Sequence, residues 1–138
     1  MKAFRFRLET LLHLREISRD KALGHYAQSI RSRQEREKAL QVCQSHLESL
    51  HAQIGERRKN SFTGSKQESF DLSVSHAKER ILDANRNLQE SMQTEQAKKG
   101  IYLKIDSEYK SLLKLKEKKY EEHVYSESLK EERELEDI

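Results

Sequence analysis

The sequence predicts an all-α fold: an antiparallel two-helix coiled-coil hairpin forming an elongated rod. Three observations lead there. The 138 residues contain no proline, no tryptophan and only four glycines, which removes the punctuation that strands and tight turns need. Charged residues make up 37% and hydrophobic residues 34%, against a usual ~25% and ~45–50%. That is too little apolar material for a thick core and enough for one stripe along a helix. Finally, apolar residues recur at spacings of three and four in two long segments separated by a single turn-like cluster. Disordered chains of similar polarity are usually rich in Pro and Gly, and this one is not.

The first helix is expected over about residues 5–59. In its second half Leu40, Leu47 and Ile54 fall seven apart, with Cys43 and Leu50 between them, so all five share one stripe. Its first half carries Leu8, Leu11, Leu12, Ala22, Leu23, Tyr26, Ala27 and Ile30. Arg57, Arg58 and Lys59 sit where a helix C-terminus favours cations, and Asn60 suits a C-terminal cap. A turn is expected over about 60–68, where Asn-Ser-Phe-Thr-Gly-Ser breaks the pattern. Ser65 and Glu68 have capping-box spacing, with Asp71 as an alternative start. The second helix is expected over about 69–134. It carries Val74, Ala77, Ile81, Ala84, Leu88 and Met92, then Tyr102, Ile105, Tyr109 and Leu112, and weakens through Tyr120 and Val124. All of this makes a single domain over residues 1–138.

The two halves mirror each other. Arg31–Lys38 has no apolar side chain, and Gln93–Gly100 has only Ala97. Folding the chain back about Ser65 sets residue i opposite roughly 130 − i. The two polar stretches then meet, and so do the apolar ones. Charge agrees: residues 1–60 carry 13 basic and 7 acidic groups, and residues 121–138 carry 2 and 8. Opposite surpluses at the two ends favour the antiparallel arrangement, although exposed pairs contribute only ~0–1 kcal/mol each. A helix of ~55 residues is ~80 Å long. Two helices bury little per residue, and Gly24 and Gly100 each cost ~1 kcal/mol inside a helix, so the free protein is expected to be marginally stable.

The chemistry the chain lacks narrows its function. A two-helix rod has no concave site that excludes water, and there is no glycine-rich phosphate loop, so no catalytic residue and no cofactor are expected. A single cysteine, Cys43, cannot form an internal disulfide and suits a reducing compartment. At a stripe position it is a small buried apolar residue. The histidines are scattered; His46 and His51 lie on different faces, so no metal is expected. No apolar run spans a membrane, and the start of the chain lacks the apolar core of a secretory leader, which makes a cytosolic location the expectation. A net charge of +3 is small for a nucleic-acid binder, and Glu35 and Glu37 interrupt the basic stretch Arg31, Arg33, Arg36 and Lys38.

Two features exceed what a plain coiled coil needs. Phe4, Arg5, Phe6, Arg7, Leu8, Leu11 and Leu12 alternate aromatic and arginine residues, then turn aliphatic. With Leu14 they are too many for one stripe, so part of this surface is expected to meet another molecule. Phe62 and Phe70 flank the turn, either as a staple or as a partner anchor.

These residues resemble the flagellar export protein FliJ family, small coiled-coil components of the flagellar type III export apparatus. The likeness rests on Phe4-x-Phe6-x-Leu8-Glu9-x-Leu11-Leu12-x-x-Arg15 with Ala22 downstream, and extends over the chain through its helix–loop–helix layout. The resemblance implies a non-enzymatic stalk that enters and stimulates the ring of the export ATPase. It also implies a link to the membrane export gate and an escort role for export chaperones, with flagellum assembly, motility and chemotaxis depending on it. On that reading Phe4 to Leu12 meet the ATPase ring and Phe62 and Phe70 meet the gate. The protein would be cytoplasmic, held peripherally at the inner face of the cell membrane, and a monomer when free. The alternatives are an injectisome stalk protein with the same layout and a homodimeric structural scaffold.

Overall fold

The computed structural model describes residues 2–60 and 63–138. The chain forms two long helices packed antiparallel, α1 over Glu9–Lys59 and α2 over Gly64–Glu136. No strand occurs among the described residues. Contacts divide the chain into two compact units, Ala27–Ala97 and Met1–Tyr26 with Lys98–Ile138. The division at 97/98 falls inside the polar stretch Gln93–Gly100, and that at 26/27 falls four residues before the other polar stretch.

The unit that holds the turn is the regular one. Leu40, Cys43, Leu47 and Leu50 are half-buried and Ile54 is buried. Facing them, Phe70, Val74, Ile81 and Leu88 are half-buried, and Ala77 and Ala84 are buried. Small residues at 77 and 84 let the backbones approach, so the larger side chains opposite can fill the space. Arg57 sets its guanidinium 5.6 Å from the centre of the Phe70 ring, a cation–π contact that ties the two helices beside the turn.

The connection is shorter than the expected 60–68. Thr63 accepts the first helical hydrogen bond of α2 from Gln67 at 3.1 Å, which makes it the N-cap, a position that Thr favours. Its hydroxyl lies 3.2 Å from that of Ser65. Ser65, Glu68 and Asp71 are therefore already inside the helix, and the capping box is not used. A shorter turn moves the axis of the hairpin. Within the unit that holds the turn, the opposing pairs 57 with 70 and 33 with 95 add to 127 and 128, rather than to 130.

In the other unit Leu12 and Ala22 are buried, and Tyr26, Tyr102, Ile105, Tyr109 and Leu112 are half-buried. Tyr26 and Tyr102 stack at 6.1 Å. Arg19 lies 4.3 Å over the Tyr109 ring, and Arg15 donates to Glu108 at 2.7 Å. Leu11 and Leu23 face outward, at 39% and 44% exposure. α1 does not begin at residue 5. Its first turn is closed by the bond from the Leu12 amide to the Leu8 carbonyl at 2.8 Å, and residues 2–6 are neither helix nor strand. The reason is in the period. Phe4, Phe6 and Leu8 are half-buried while Arg5 and Arg7 are exposed, an alternation of two that an extended segment can satisfy and a helix cannot.

Candidate functional site: the amino-terminal strap and its groove

Residues 2–6, with the turn at 7–8, lie along α2 as a strap, and most of the expected contact residues fall in or next to it. Phe4 meets Tyr120 edge-on, ring centres 5.3 Å apart, and approaches His123 at 5.6 Å. His123 donates from Nε2 to the Lys2 carbonyl at 2.9 Å. Glu127 lines the same groove one turn further along α2, where the Lys2 backbone N–H helps to hold its carboxyl below its ordinary value. The Lys2 backbone is therefore bonded by His123, with Glu127 one helical turn away on α2 beside it. Between strap and helix lies a cavity of about 670 Å³, whose walls include Phe6, Leu8, Leu115 and Lys119.

Glu127 is buried, at 8% exposure. Desolvation pushes its pKa up, but Lys130, the Lys2 amide and His123 together outweigh it and hold the carboxyl below its ordinary value. It is therefore ionised at neutral pH, which suits an acceptor for a backbone N–H. Glu9, at the start of α1, pairs with Lys116 at 2.9 Å and also complements the positive helix end.

Not every residue expected at this surface is free to meet a partner. Arg5 and Arg7 are exposed and engage no carboxylate among the described residues. Phe4, Phe6 and Leu8 are half covered, and Leu11 is exposed. Leu12, at 5% exposure, belongs to the interior. At the turn, Phe62 lies outside the described residues. Phe70 is half-buried under Arg57.

Reasoning from apolar residues alone missed the polar members of the seam. Arg33 is half-buried and bonds both to Glu37, at 2.8 Å, and to Glu95 across the helix pair. Hydrogen bonds to Glu37 and Glu95 raise its pKa. Ser29 is buried, and Ser91, Glu95 and Lys98 are half-buried. Stepping back by sevens from Leu40 and Cys43 reaches 33, 26, 19 and 12, and 36, 29, 22 and 15. All but exposed Arg36 are buried or half-buried. The heptad carried this signal and hydrophobicity did not.

Among the described residues there is no cluster of His, Cys, Asp and Glu that could hold a metal, and no helix long and apolar enough to cross a membrane. Cys43 is free and half-buried on the seam. The arrangement offers contact surfaces: aromatic and aliphatic groups beside exposed arginines on one unit, and a basic-aromatic clasp beside the turn on the other.

No curated protein and no solved structure matches the chain. A family model, the flagellar FliJ protein, matches residues 4–138, from the first aromatic of the strap to the last residue. Essentially the whole hairpin is covered, and the chain belongs to the FliJ family of flagellar export proteins.

Proposed function

We propose that this protein is a non-enzymatic stalk of the flagellar export apparatus. It binds the ring of the export ATPase through its amino-terminal end and stimulates it. It links that ring to the membrane export gate and escorts export chaperones. The observation that carries this reading is the strap: Phe4 and Phe6 only half covered, Arg5 and Arg7 exposed with no carboxylate partner among the described residues, and Leu11 exposed beside them. Arginine suits the lining of a protein ring, since its stem packs on apolar surface while the guanidinium pairs with carboxylates or carbonyls. Phe70, with Phe62 near it in sequence, is the proposed gate contact. The protein is cytoplasmic in this reading, peripheral to the inner face of the membrane, and monomeric when free. Flagellum assembly, motility and chemotaxis follow from its action.

The test is stimulation of purified export ATPase. Deleting residues 1–7 removes the strap and leaves both helices, which begin at Glu9 and Gly64. Stimulation should be lost. The exposed Leu11→Ser should weaken it with little effect on helix content, whereas Leu12→Ser would damage the interior and is not a clean probe. Equal stimulation by intact and truncated protein would sink the proposal.

A further inference from the structure

We propose that residues 2–8 are a self-docking strap, an autoinhibitory contact in which Glu127 and His123 grip the backbone of Lys2 and thereby hold Phe4 and Phe6 against α2.

A segment outside any helix or strand is ordinarily poorly ordered unless something ties it down. Here the tie is specific. An imidazole Nε2 gives to the Lys2 carbonyl at 2.9 Å, and the buried Glu127 carboxyl lines the same groove one turn away, so the peptide is recognised by its backbone at one point. Phe4 then meets Tyr120 and His123. Exposed Arg5 and Arg7 make no ion pair among the described residues, so between the Lys2 clamp and the turn at Leu8 the strap is held mainly by its half-covered apolar side chains. Beneath it the cavity of about 670 Å³ leaves Phe6 and Leu8 incompletely packed. A segment gripped at one end and loosely packed elsewhere is suited to detach as a unit.

Release would change two surfaces together. α1 begins at Glu9, which pairs with Lys116, so α2 beyond Lys116 has the strap as its partner in this unit. Detachment would further expose Tyr120, already 52% exposed, uncover half-buried His123 on α2, and free Phe4 and Phe6 on the strap. The groups around Glu127 set the strength of the hold: Lys130 and His123 on its own helix, Lys2 on the strap, and Arg5, Arg7 and Lys119 around the same cavity. The docked form is the one the structure holds, through the His123–Lys2 bond and the ring contacts of Phe4. The inhibitory consequence rests on the proposed role of Phe4 and Phe6 in binding a partner; the docking itself does not.

Tryptic cleavage after Arg5 and Arg7 reads the strap directly, and a single tryptophan at position 4 (Phe4→Trp, in a chain with none) reads it by acrylamide quenching. In the intact protein at neutral pH, cleavage should be much slower than in a free peptide of residues 2–8, and the tryptophan shielded. Glu127→Gln should speed cleavage about tenfold, the scale of losing one charge-assisted hydrogen bond, and raise quenching, with helix content unchanged. His123→Ala should act in the same direction, and His123→Gln, which keeps a donor, should recover part of the protection. Cleavage of the intact protein at the free-peptide rate would overturn the proposal without any variant. So would equal cleavage in the intact protein, Glu127→Gln and His123→Ala. On the ATPase, Glu127→Gln should act at lower concentration than the intact protein. If instead deleting residues 1–7 leaves stimulation unchanged, the partner reading fails and the strap stands. If the cleavage rates are equal, the strap fails and the partner reading stands.

Discussion

Arg33 of α1 and Glu95 of α2, 62 positions apart, meet across the seam at a place where a coiled coil ordinarily puts Leu or Ile. Arg33 also bonds Glu37 on its own helix, so one guanidinium joins two carboxylates. A polar residue at a single seam position specifies register at a cost in stability. Removing Glu95 alone (Glu95→Ala) should lower Tm by a few degrees, because the half-buried guanidinium loses its cross-helix partner. Replacing both residues (Arg33→Leu with Glu95→Leu) should restore or raise Tm, since burying apolar groups in place of an ion pair is often neutral or better. A double variant less stable than Glu95→Ala would show that the pair is a net stabiliser.

The corrected register has a direct check. Leu47 and Ile81 are both half-buried seam residues whose numbers add to 128, the value found for 33 with 95. Cysteines at 47 and 81 in a Cys43→Ser background should form a disulfide within one chain. Cysteines at 47 and 83 should cross-link poorly, because Asp83 is exposed. Cross-links that join two chains, or that prefer 83, would refute the register.

Glu127 makes stability depend on pH in a defined direction. Its carboxyl titrates below the ordinary value in the folded protein, so its contribution is fully present above the unfolded value of about 4.3 and is lost as pH falls through the lower folded value. Thermal melts of the intact protein and Glu127→Gln should differ most at neutral pH and converge in acid below about 4. Arg19, Arg33 and Lys110 have raised values, led in each case by a hydrogen bond to a carboxylate. They stay charged throughout that window and do not contribute to the slope. A difference that persists unchanged into acid would mean that the effect of Glu127→Gln is not its charge.

Gly24 and Gly100 lie inside α1 and α2, and a Cβ at either would meet nothing within 4 Å. Gly24→Ala and Gly100→Ala should each stabilise the protein by about 1 kcal/mol, visible as a higher denaturation midpoint with an unchanged slope. Destabilisation by either would show that helical propensity is not what limits stability there.

Much of the fold was legible because one signal, a spacing of three and four, runs through both helices. Leu40 to Ile54 and Val74 to Leu88 lie on the seam where that spacing puts them. Legibility failed where another principle governs. α1 starts four residues later than expected because Phe4-Arg5-Phe6-Arg7-Leu8 alternates with a period of two, which a helix does not satisfy. α2 starts earlier than the expected 69 because Thr63, rather than Ser65 or Asp71, is the cap. The Lys2 clamp was not legible at all. It is made by backbone groups, which carry no sequence signature, and by His123 and Glu127, which look like any other polar residues of a charged helix.

Among the described residues no side chain is completely shut away from solvent. Mutations in a globular interior are felt because each buried residue has neighbours on every side. Here the positions under that constraint are roughly one in every three or four along each helix, those of the seam. All others present their side chains outward and can change identity with little effect on folding. A protein built this way spends few residues on holding its shape and leaves nearly all the rest as addressable surface, so several different partners could be accommodated on one small chain without competing for the residues that keep it folded.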